Sequence, residues 1–283
     1  RPMQIEAAIS PNERAAILGY VLTTSGGSLE TTSFVKFLHW WALRHHTSQG
    51  LQDYQEEYQF VPGGGAGDGE SVVCLSCPVQ RVVGAGMGLI RRTTSSYTAA
   101  RVVCTIPLNV PQDVSFIPPL DETRAAAIQT GHVNGCTKLY AEVNNKELRS
   151  WDGINYPYNN LIYANAVGAT PAGYPTLVCF GPAENGLQPE EDVEETLQQV
   201  RNPNPEVINV RRLVFHNWVK DPYTRGAWFY PPPGLLDEAL GKLRQRHGNV
   251  VFASADWPRG WRGFIDGAIE DGTRAAMVCS KEL

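Results

Sequence analysis

The sequence predicts an α+β fold in which antiparallel and mixed sheets are covered by helices. Strand-like apolar runs separated by turn residues recur in two stretches, 71–107 and 135–215. Helical patterns lie between and around them, at 32–45, 121–129 and 189–200. Near the C-terminus a short apolar strand leads across a Gly-rich turn into a helix, which is typical of an α/β domain.

Length and composition limit the classes of protein that the chain can represent. Its 283 residues suffice for one large domain or two smaller ones. A hydrophobic content of 42% with 19% charged residues is typical of a soluble globular protein. The net charge of −5 gives no basic footprint for nucleic acid, and no apolar run is long enough to span a membrane.

The six cysteines predict a reducing compartment rather than a disulfide framework. Cys74 and Cys77 have the spacing of half a metal or redox site, but no second pair and no histidine cluster accompanies them, so we expect no metal. Buried free thiols within strands are the favoured interpretation, because cysteine is among the most buried residue types. This interpretation predicts a cytoplasmic location.

The strand and helix near the C-terminus form the most informative stretch, residues 250–276. The strand ends in a turn that contains Asp256, and a Gly-flanked loop follows. The pattern predicts a helix that starts near Gly263. Two of its faces carry mostly small residues and can pack closely: one has Phe264, Ala268, Gly272 and Ala275, and the other has Ile265, Ile269 and Ala276. Free N–H groups at such a helix start suit an anionic ligand, although an ordinary buried strand–helix corner explains the pattern equally well.

Residues 252–268 resemble the closing segment of the flavin-dependent amine oxidase family, which includes monoamine, polyamine and L-amino-acid oxidases. The match consists of small residues, an acid, a spacer and a Gly-aromatic-x-x-Gly-Ala step. Two residues depart from the family pattern. Ser254 stands where the family usually has Gly, and Asp256 stands where it usually has Glu. The resemblance implies that Asp256, Gly263 and Ile265 bind FAD.

A second matching stretch is the aromatic and proline-rich loop at 215–234. It contains a Trp-x-x-Asp-Pro-x-x-x-Gly-Ala signature and a Pro-Gly exit, and the residues alone also fit a packed, rigid loop. The resemblance implies that Trp218 lies beside the isoalloxazine, and that Trp228 and Phe264 form the walls of an aromatic cage. Ala227 stands where some members carry a cysteine linked to flavin, so non-covalent FAD is expected.

Lys138 is a lone cation inside the apolar strand 135–143. From the residues alone a lysine there either extends its ammonium outward to solvent or is buried with a lowered pKa. The resemblance implies a third role, in which Lys138 holds a water molecule against the flavin N5. Together with Trp228 and Phe264, Lys138 is a candidate catalytic residue.

The resemblance implies further site residues. The backbone of Val79, after Pro78, corresponds to the group that holds the adenine of FAD. The helix at 32–45 borders the substrate entrance in the family, although plain core packing explains its apolar residues too. We name four substrate-lining candidates: Phe37, Leu38, Trp41 and Arg225. Arg259 and Arg262 join Arg225 as candidates for the carboxylate clamp that an amino-acid substrate needs.

One family element is missing from the sequence, and a second is shortened. No Gly-x-Gly-x-x-Gly fingerprint occurs, so the N-terminal βαβ unit that supplies a helix for the pyrophosphate is absent. In the Gly-rich loop 58–70, too few residues lie between Gly63 and Val72 for the helix that the family has at this point. Either that helix is deleted or residues are missing from the sequence. Because the chain begins at Arg1 without Met, we expect a processed or incomplete chain. It should bind FAD weakly unless a second chain carries the N-terminal unit.

The resemblance predicts four segments. Residues 1–59 form the helical part of the substrate domain, and 60–110 form a β-meander of the FAD-binding domain. Residues 111–217 form the substrate-binding sheet. Residues 218–283 carry the aromatic loop and the C-terminal strand and helix of the FAD-binding α/β domain.

Three functions remain open from the sequence. The favoured hypothesis is FAD-dependent oxidation of an amine or amino acid, with hydride transfer from the Cα–H to flavin N5, O2 as acceptor, and imine and hydrogen peroxide as products. The second is a truncated, flavin-free homologue that performs cofactor-free chemistry such as cyclisation. The third is a non-catalytic binding protein.

Overall fold

The computed structural model describes residues 9–47, 74–84, 88–92 and 96–281, with the backbone alone described at 88–92. Contacts divide the chain into two compact units. Unit 1 consists of Arg1–Ser33 and His132–Pro233, and unit 2 of Phe34–Gly131 and Gly234–Leu283. Each unit is therefore built from two segments that are far apart in the sequence.

The elements are numbered along the described residues. The α-helices are α1 Pro11–Ser25, α2 Phe34–Leu43, α3 Glu122–Thr130, α4 Val193–Arg201, α5 Leu235–Leu243 and α6 Ile265–Ser280. The strands are β1 Val79–Val83, β2 Gly88–Arg92, β3 Ser96–Ala99, β4 Val102–Cys104, β5 Ser115–Ile117, β6 Thr137–Val143, β7 Asp152–Ile154, β8 Tyr163–Ala169, β9 Pro175–Gly181, β10 Val210–Phe215 and β11 Val250–Phe252.

Unit 1 is organised around a five-stranded antiparallel sheet in the order β10-β6-β9-β8-β7. Side chains alternate between the two faces of a strand. One face carries the buried core of the unit, which includes Leu139, Ala141, Leu177 and Cys179. The alternate residues of the same strands therefore point to the opposite face.

Unit 2 contains two sheets. The first has the order β3-β2-β1-β5, antiparallel except for the parallel pair of β1 with β5. The second is the parallel pair of β11 with β4, in which Val250 lies opposite Val102 and Phe252 opposite Cys104. Helix α6 packs on this pair through Ala275 and Val278. Together these elements confirm the predicted α+β class with mixed and antiparallel sheets.

Side-chain caps define where several helices begin. Ser10 and Glu13 form a reciprocal capping box at α1, and Asp121 accepts the N–H of Arg124 at α3. Asp192 caps α4 in the same way. Each cap satisfies N–H groups that the helix itself leaves without partners. Helix α3 begins one residue after its predicted start at 121, and α4 begins four residues after its predicted start at 189.

Three local features differ from what the sequence predicts. Helix α5 was not predicted, because its short apolar pattern follows three prolines. The turn residues at 93–97 predict a turn, but strand β3 begins at Ser96. The apolar run 71–75 predicts a strand, but Cys74 and Leu75 have no strand pairing. The Gly-rich loop 58–70 lies outside the described residues.

The units also differ in their boundaries from the four predicted segments. Helix α2, expected in the same segment as α1, belongs to unit 2, whereas α1 belongs to unit 1. The predicted segments followed chain order, but the contacts join segments that are distant in sequence. Among the described residues, no helix has both the length and the apolarity needed to cross a membrane.

Candidate functional site

In unit 1, a row of side chains crosses the sheet face opposite the core. Lys138 on β6 lies opposite Phe180 on β9, which in turn lies opposite Tyr163 on β8. The rings of Tyr163 and Phe180 stack with centroids 6.1 Å apart. Because cross-strand neighbours on one face are in contact, this register places the lysine beside an aromatic surface.

The Lys138 side chain is neither fully exposed to solvent nor fully buried, which were the two positions expected from the residues alone. Its side chain is half-buried. The ammonium lies over two aromatic rings, 5.4 Å from the Tyr140 centroid and 5.5 Å from that of Phe180. These distances allow cation–π attraction between the ammonium and the two rings, so the Lys138 side chain lies against the aromatic face.

Trp228 stands on the same aromatic face. Its indole meets the Phe180 ring edge-on, with centroids 6.0 Å apart and an interplanar angle of 83°. The indole Nε1 donates to the Thr24 carbonyl at 2.9 Å, and the Trp228 carbonyl accepts from Asn134 Nδ2 at 2.9 Å. The side chain and the backbone of Trp228 are thus both hydrogen-bonded, and the Phe180 ring contacts both the Trp228 indole and the Lys138 ammonium.

Trp218 and Arg225 lie in the irregular loop before Trp228. Trp218 is 45% exposed and contacts His216, whose ring centroid is 4.5 Å away. His216 Nε2 pairs with Asp221 Oδ2 at 2.8 Å, and the Gly226 N–H closes the loop on the Trp218 carbonyl. Arg225 is half-buried with φ 51. The loop lacks helix or strand from His216 to Gly234, as predicted, and these hydrogen bonds tie its residues together.

In unit 2, Asp256 lies in the turn that follows the buried strand β11. One carboxylate oxygen accepts the N–H of Leu108 at 2.7 Å, and the Asp256 N–H donates to Ser254 Oγ. Burial raises the pKa of Asp256 to about 6, and the hydrogen bond from Leu108 opposes that rise. Ser254, the departure from the family glycine, therefore helps to hold this acid.

The turn between Asp256 and α6 has the features that an anionic ligand needs. Gly263 adopts φ 86, a left-handed conformation that glycine reaches without strain, and its N–H donates to the Ala255 carbonyl. The N-cap residue of α6 is Phe264, and no side chain caps the helix. Its first N–H groups and dipole therefore suit a phosphate-bearing group.

Helix α6 packs through a different face from the one predicted. It begins at Ile265, and its buried residues are Gly267, Asp271 and Ala275. A Cβ on Gly267 would collide with the Trp261 carbonyl, so only glycine permits this approach. Of the predicted packing residues in the helix, Ala275 is buried, whereas Ala268, Gly272 and Ala276 are exposed, as are Ile265 at 65% and Ile269 at 63%. Small-residue spacing alone does not distinguish these faces.

A network of charged residues that the sequence did not predict stabilises the same turn between β11 and α6. Asp271 is fully buried and accepts from Arg274 at 2.7 and 3.0 Å and from the Ser254 N–H at 3.1 Å. Arg244 lies 3.6 Å from the same carboxylate. The signal in the sequence was an Asp-x-x-Arg pair at helical spacing, which is also common on exposed helix faces.

The substrate-lining candidates on α2 form the more exposed side of that helix. Phe37 stacks against Trp41 with centroids 6.3 Å apart, and Leu38 is exposed. The buried residues of the helix are Lys36 and Trp40. Core packing therefore accounts for Trp40 but not for the exposed Leu38, while Phe37 and Trp41 are partly buried.

The remaining candidates occupy varied positions. Val79 begins β1, pairs with Arg92 ahead of a register irregularity, and is partly exposed. Among the clamp candidates, Arg259 is exposed whereas Arg262 is buried. No group of three metal-ligating side chains occurs in the described part of the chain.

The cysteines match the prediction in part. Cys104, Cys136 and Cys179 are free thiols buried in or beside strands, and burial raises the pKa of each. Cys74 is exposed and Cys77 is partly exposed, outside any strand. For this pair the prediction of buried strand thiols is wrong.

The described geometry defines a class of protein before any comparison. Unit 2 carries a buried strand, an acid, a left-handed glycine and an uncapped helix start, which fit the phosphate-bearing part of a flavin dinucleotide. Unit 1 carries an aromatic sheet face with a lysine. These are the features of a flavin-dependent oxidoreductase of the amine oxidase type.

Comparisons with known proteins agree with that class. The flavin containing amine oxidoreductase family matches residues 10–280, so the chain belongs to this family. A pseudooxynicotine dehydrogenase from Pseudomonas sp is 26% identical over 265 residues, which cover 90% of this chain and 52% of the relative. Mouse flavin-containing amine oxidase B is 26% identical over 72% of this chain and 42% of the relative. The chain thus spans about half the length of these relatives.

Solved structures show the same fold. Cyclohexylamine oxidase from Brevibacterium oxydans IH-35A superposes with a TM-score of 0.74 at 17% identity, covering 98% of this chain and 66% of that one. Wild-type putrescine oxidase bound to putrescine gives a TM-score of 0.64 at 22% identity over 72% of this chain and 48% of that one. At these identities the likeness concerns the fold alone.

Proposed function

We propose that the chain provides the substrate-binding sheet and part of the cofactor-binding domain of an FAD-dependent amine oxidase. The reaction is oxidation of an amine or amino acid at its Cα–H to the imine. FAD supplies the hydride acceptor at N5, and O2 reoxidises it to give hydrogen peroxide. The observation that carries the proposal is the joint placement of Lys138 and Trp228 around Phe180 in unit 1.

In this proposal the residues of unit 1 act on substrate and water. An apolar aromatic slot favours a neutral amine over its ammonium form and orients it for hydride transfer. Trp228 supplies one wall of the slot. Lys138 holds a water molecule through its ammonium, and Trp218 presents an exposed indole for stacking. Arg225 is the candidate clamp for a substrate carboxylate.

The residues of unit 2 bind the cofactor. The N–H of Ile265, next to the left-handed Gly263, donates to a negatively charged or carbonyl group, and Asp256 provides a hydrogen-bond acceptor. Val79 offers backbone groups to the adenine, and Phe264 supplies the second aromatic wall. Phe37, Leu38 and Trp41 line the substrate entrance. Non-covalent FAD is expected, because Ala227 offers no thiol.

A second segment or chain that carries a βαβ dinucleotide-binding unit is part of the proposal. Parallel sheets are normally covered on both faces and contain more than two strands. Among the described residues β4 pairs only with β11, and α6 exposes Ile265, Ile269 and Met277 beside this pair. A parallel strand on β4 and a helix against α6 would complete the sheet and supply the pyrophosphate site.

The test is a flavin titration of the purified chain, alone and mixed with the N-terminal dinucleotide-binding portion of the Pseudomonas pseudooxynicotine dehydrogenase. We expect quenching of flavin fluorescence and amine-dependent peroxide in the mixture. Absence of both would contradict the proposal. Product formation from the chain without flavin would favour cofactor-free chemistry instead, and tight ligand binding without product would favour a binding protein.

The cytoplasmic location predicted from the thiols stays a proposal. The free, buried thiols of Cys104, Cys136 and Cys179 support it, since disulfides are rare in reducing compartments. Fractionation of the source cells with an antibody against the chain is the measurement that decides it.

A further inference from the structure

Lys36 is the least expected residue in unit 2. It lies in the first turn of α2 and is 1% exposed, although burial of an ammonium is costly without strong partners. Its Nζ donates to the Arg262 carbonyl at 2.8 Å and lies 4.4 Å from the centroid of the Trp40 ring. The carboxylate of Asp256 favours its charge, whereas the Arg262 guanidinium opposes it.

The partners of Lys36 converge on Phe264. Trp40 meets the Phe264 ring edge-on, with centroids 5.0 Å apart and an interplanar angle of 72°. Trp261 meets the same ring at 5.4 Å and 80°. The Phe264 ring is therefore held by two indoles, one of which carries the lysine ammonium on its own ring.

The backbone of the same turn is held at two points. The Gly263 N–H donates to the Ala255 carbonyl, which fixes the turn to the end of β11. The Arg262 carbonyl accepts from Lys36, which fixes it to α2. Because Gly263 has unusual conformational freedom, the second tie restricts a backbone that would otherwise sample other conformations.

We propose that Lys36 is a positioning residue for the amine oxidation, acting through the Arg262 carbonyl and Trp40 to fix the ring of Phe264. Lys36 contacts neither substrate nor flavin in this proposal. Its role rests on the proposed function, in which Phe264 is an aromatic wall. A mobile wall would lower the fraction of bound substrate in a reactive orientation, which affects kcat more than KM.

The first test uses the chain without flavin. Phenylalanines are replaced by 4-fluorophenylalanine, and the ¹⁹F resonance of Phe264 is assigned with Phe264→Leu. In Lys36→Met, which keeps the volume but removes the donor and charge, we expect this resonance to shift and broaden. Lys36→Arg retains a donor and should keep the resonance close to that of the wild type. An unchanged resonance in Lys36→Met would overturn the proposal.

The second test uses the flavin-loaded enzyme and separates the two proposals. We expect Lys36→Met to lower kcat about tenfold with little change in KM, and Lys36→Arg to recover most of the loss. Lys242→Met, at an exposed helical lysine, is the matched control and should leave both constants unchanged. A shifted resonance with unchanged kcat overturns the positioning role. A wild type that oxidises no amine overturns the proposed function instead, and the resonance then still decides whether Lys36 fixes the ring.

Discussion

The two units hold their candidate site residues in different ways. In unit 1 the sheet separates stability from chemistry, because one face contains the core and the other carries Lys138, Phe180 and Trp228. In unit 2 the two are combined, because Asp256 and the buried charges around it hold the corner that also presents Gly263 and Phe264. Substitutions should therefore affect activity with little loss of stability in unit 1, and affect both together in unit 2.

The largest effect should come from the ion network of unit 2. We expect Asp271→Ala to lower the free energy of unfolding by about 3–5 kcal/mol, because two arginines and a backbone N–H lose a buried partner. Glu194→Ala, at an exposed acid in the first turn of α4, should cost about 0.3–1 kcal/mol. Chemical denaturation measures both changes, and a similar cost at the two positions would contradict the comparison.

Substitutions on the two faces of the unit 1 sheet should differ several-fold in how much they lower the free energy of unfolding. Leu177→Ala removes a fully buried core side chain and should cost about 2–5 kcal/mol. Lys138→Met on the opposite face should cost about 1 kcal/mol or less, the size of a partly exposed cation–π contact. The same Lys138 variant should lose most amine oxidation. If Lys138→Met unfolds the chain instead, the separation of core and site is wrong.

The buried acid of unit 2 should make stability fall as pH rises. The pKa of Asp256 is raised from 3.8 to about 6, so the folded state binds more protons than the unfolded state between these values. Asp256 therefore costs about 3 kcal/mol of stability once ionised in both states, and the cost develops between pH 3.8 and 6. Asp256→Asn, which can still accept from Leu108, should remove this slope in unfolding measured against pH.

Lys36 should give a slope of the opposite sign between its folded-state pKa and 10.5. Burial lowers its pKa well below 10.5, so the unfolded state binds more protons between the folded pKa and 10.5. Stability should therefore rise with pH across that window. Lys36→Met should flatten this part of the profile, and Lys242→Met should not. An unchanged profile in Lys36→Met would show that the lysine does not titrate on unfolding.

Periodicity and turn chemistry in the sequence determined most of the elements. Alternating residues in 137–143 and 175–181 specify strands whatever their neighbours, and the Ser10, Asp121 and Asp192 caps specify helix starts. The family followed from contiguous phrases, in particular Trp218 to Ala227 and Phe252 to Ala268. These features depend on residues close together in the chain, which is why sequence patterns contain them.

The tertiary structure decided which helix faces are buried and which residues are hydrogen-bonded to each other. The small-residue spacing on α6 predicted that Ala268, Gly272 and Ala275 share a packing face, but of these only Ala275 is buried. Gly267 packs instead, because the Trp261 carbonyl approaches it closely. Lys36 became a buried donor because Arg262, 226 residues later, brings its carbonyl to it. Burial and pairing at such separations depend on the packed neighbours of each residue, which local patterns do not contain.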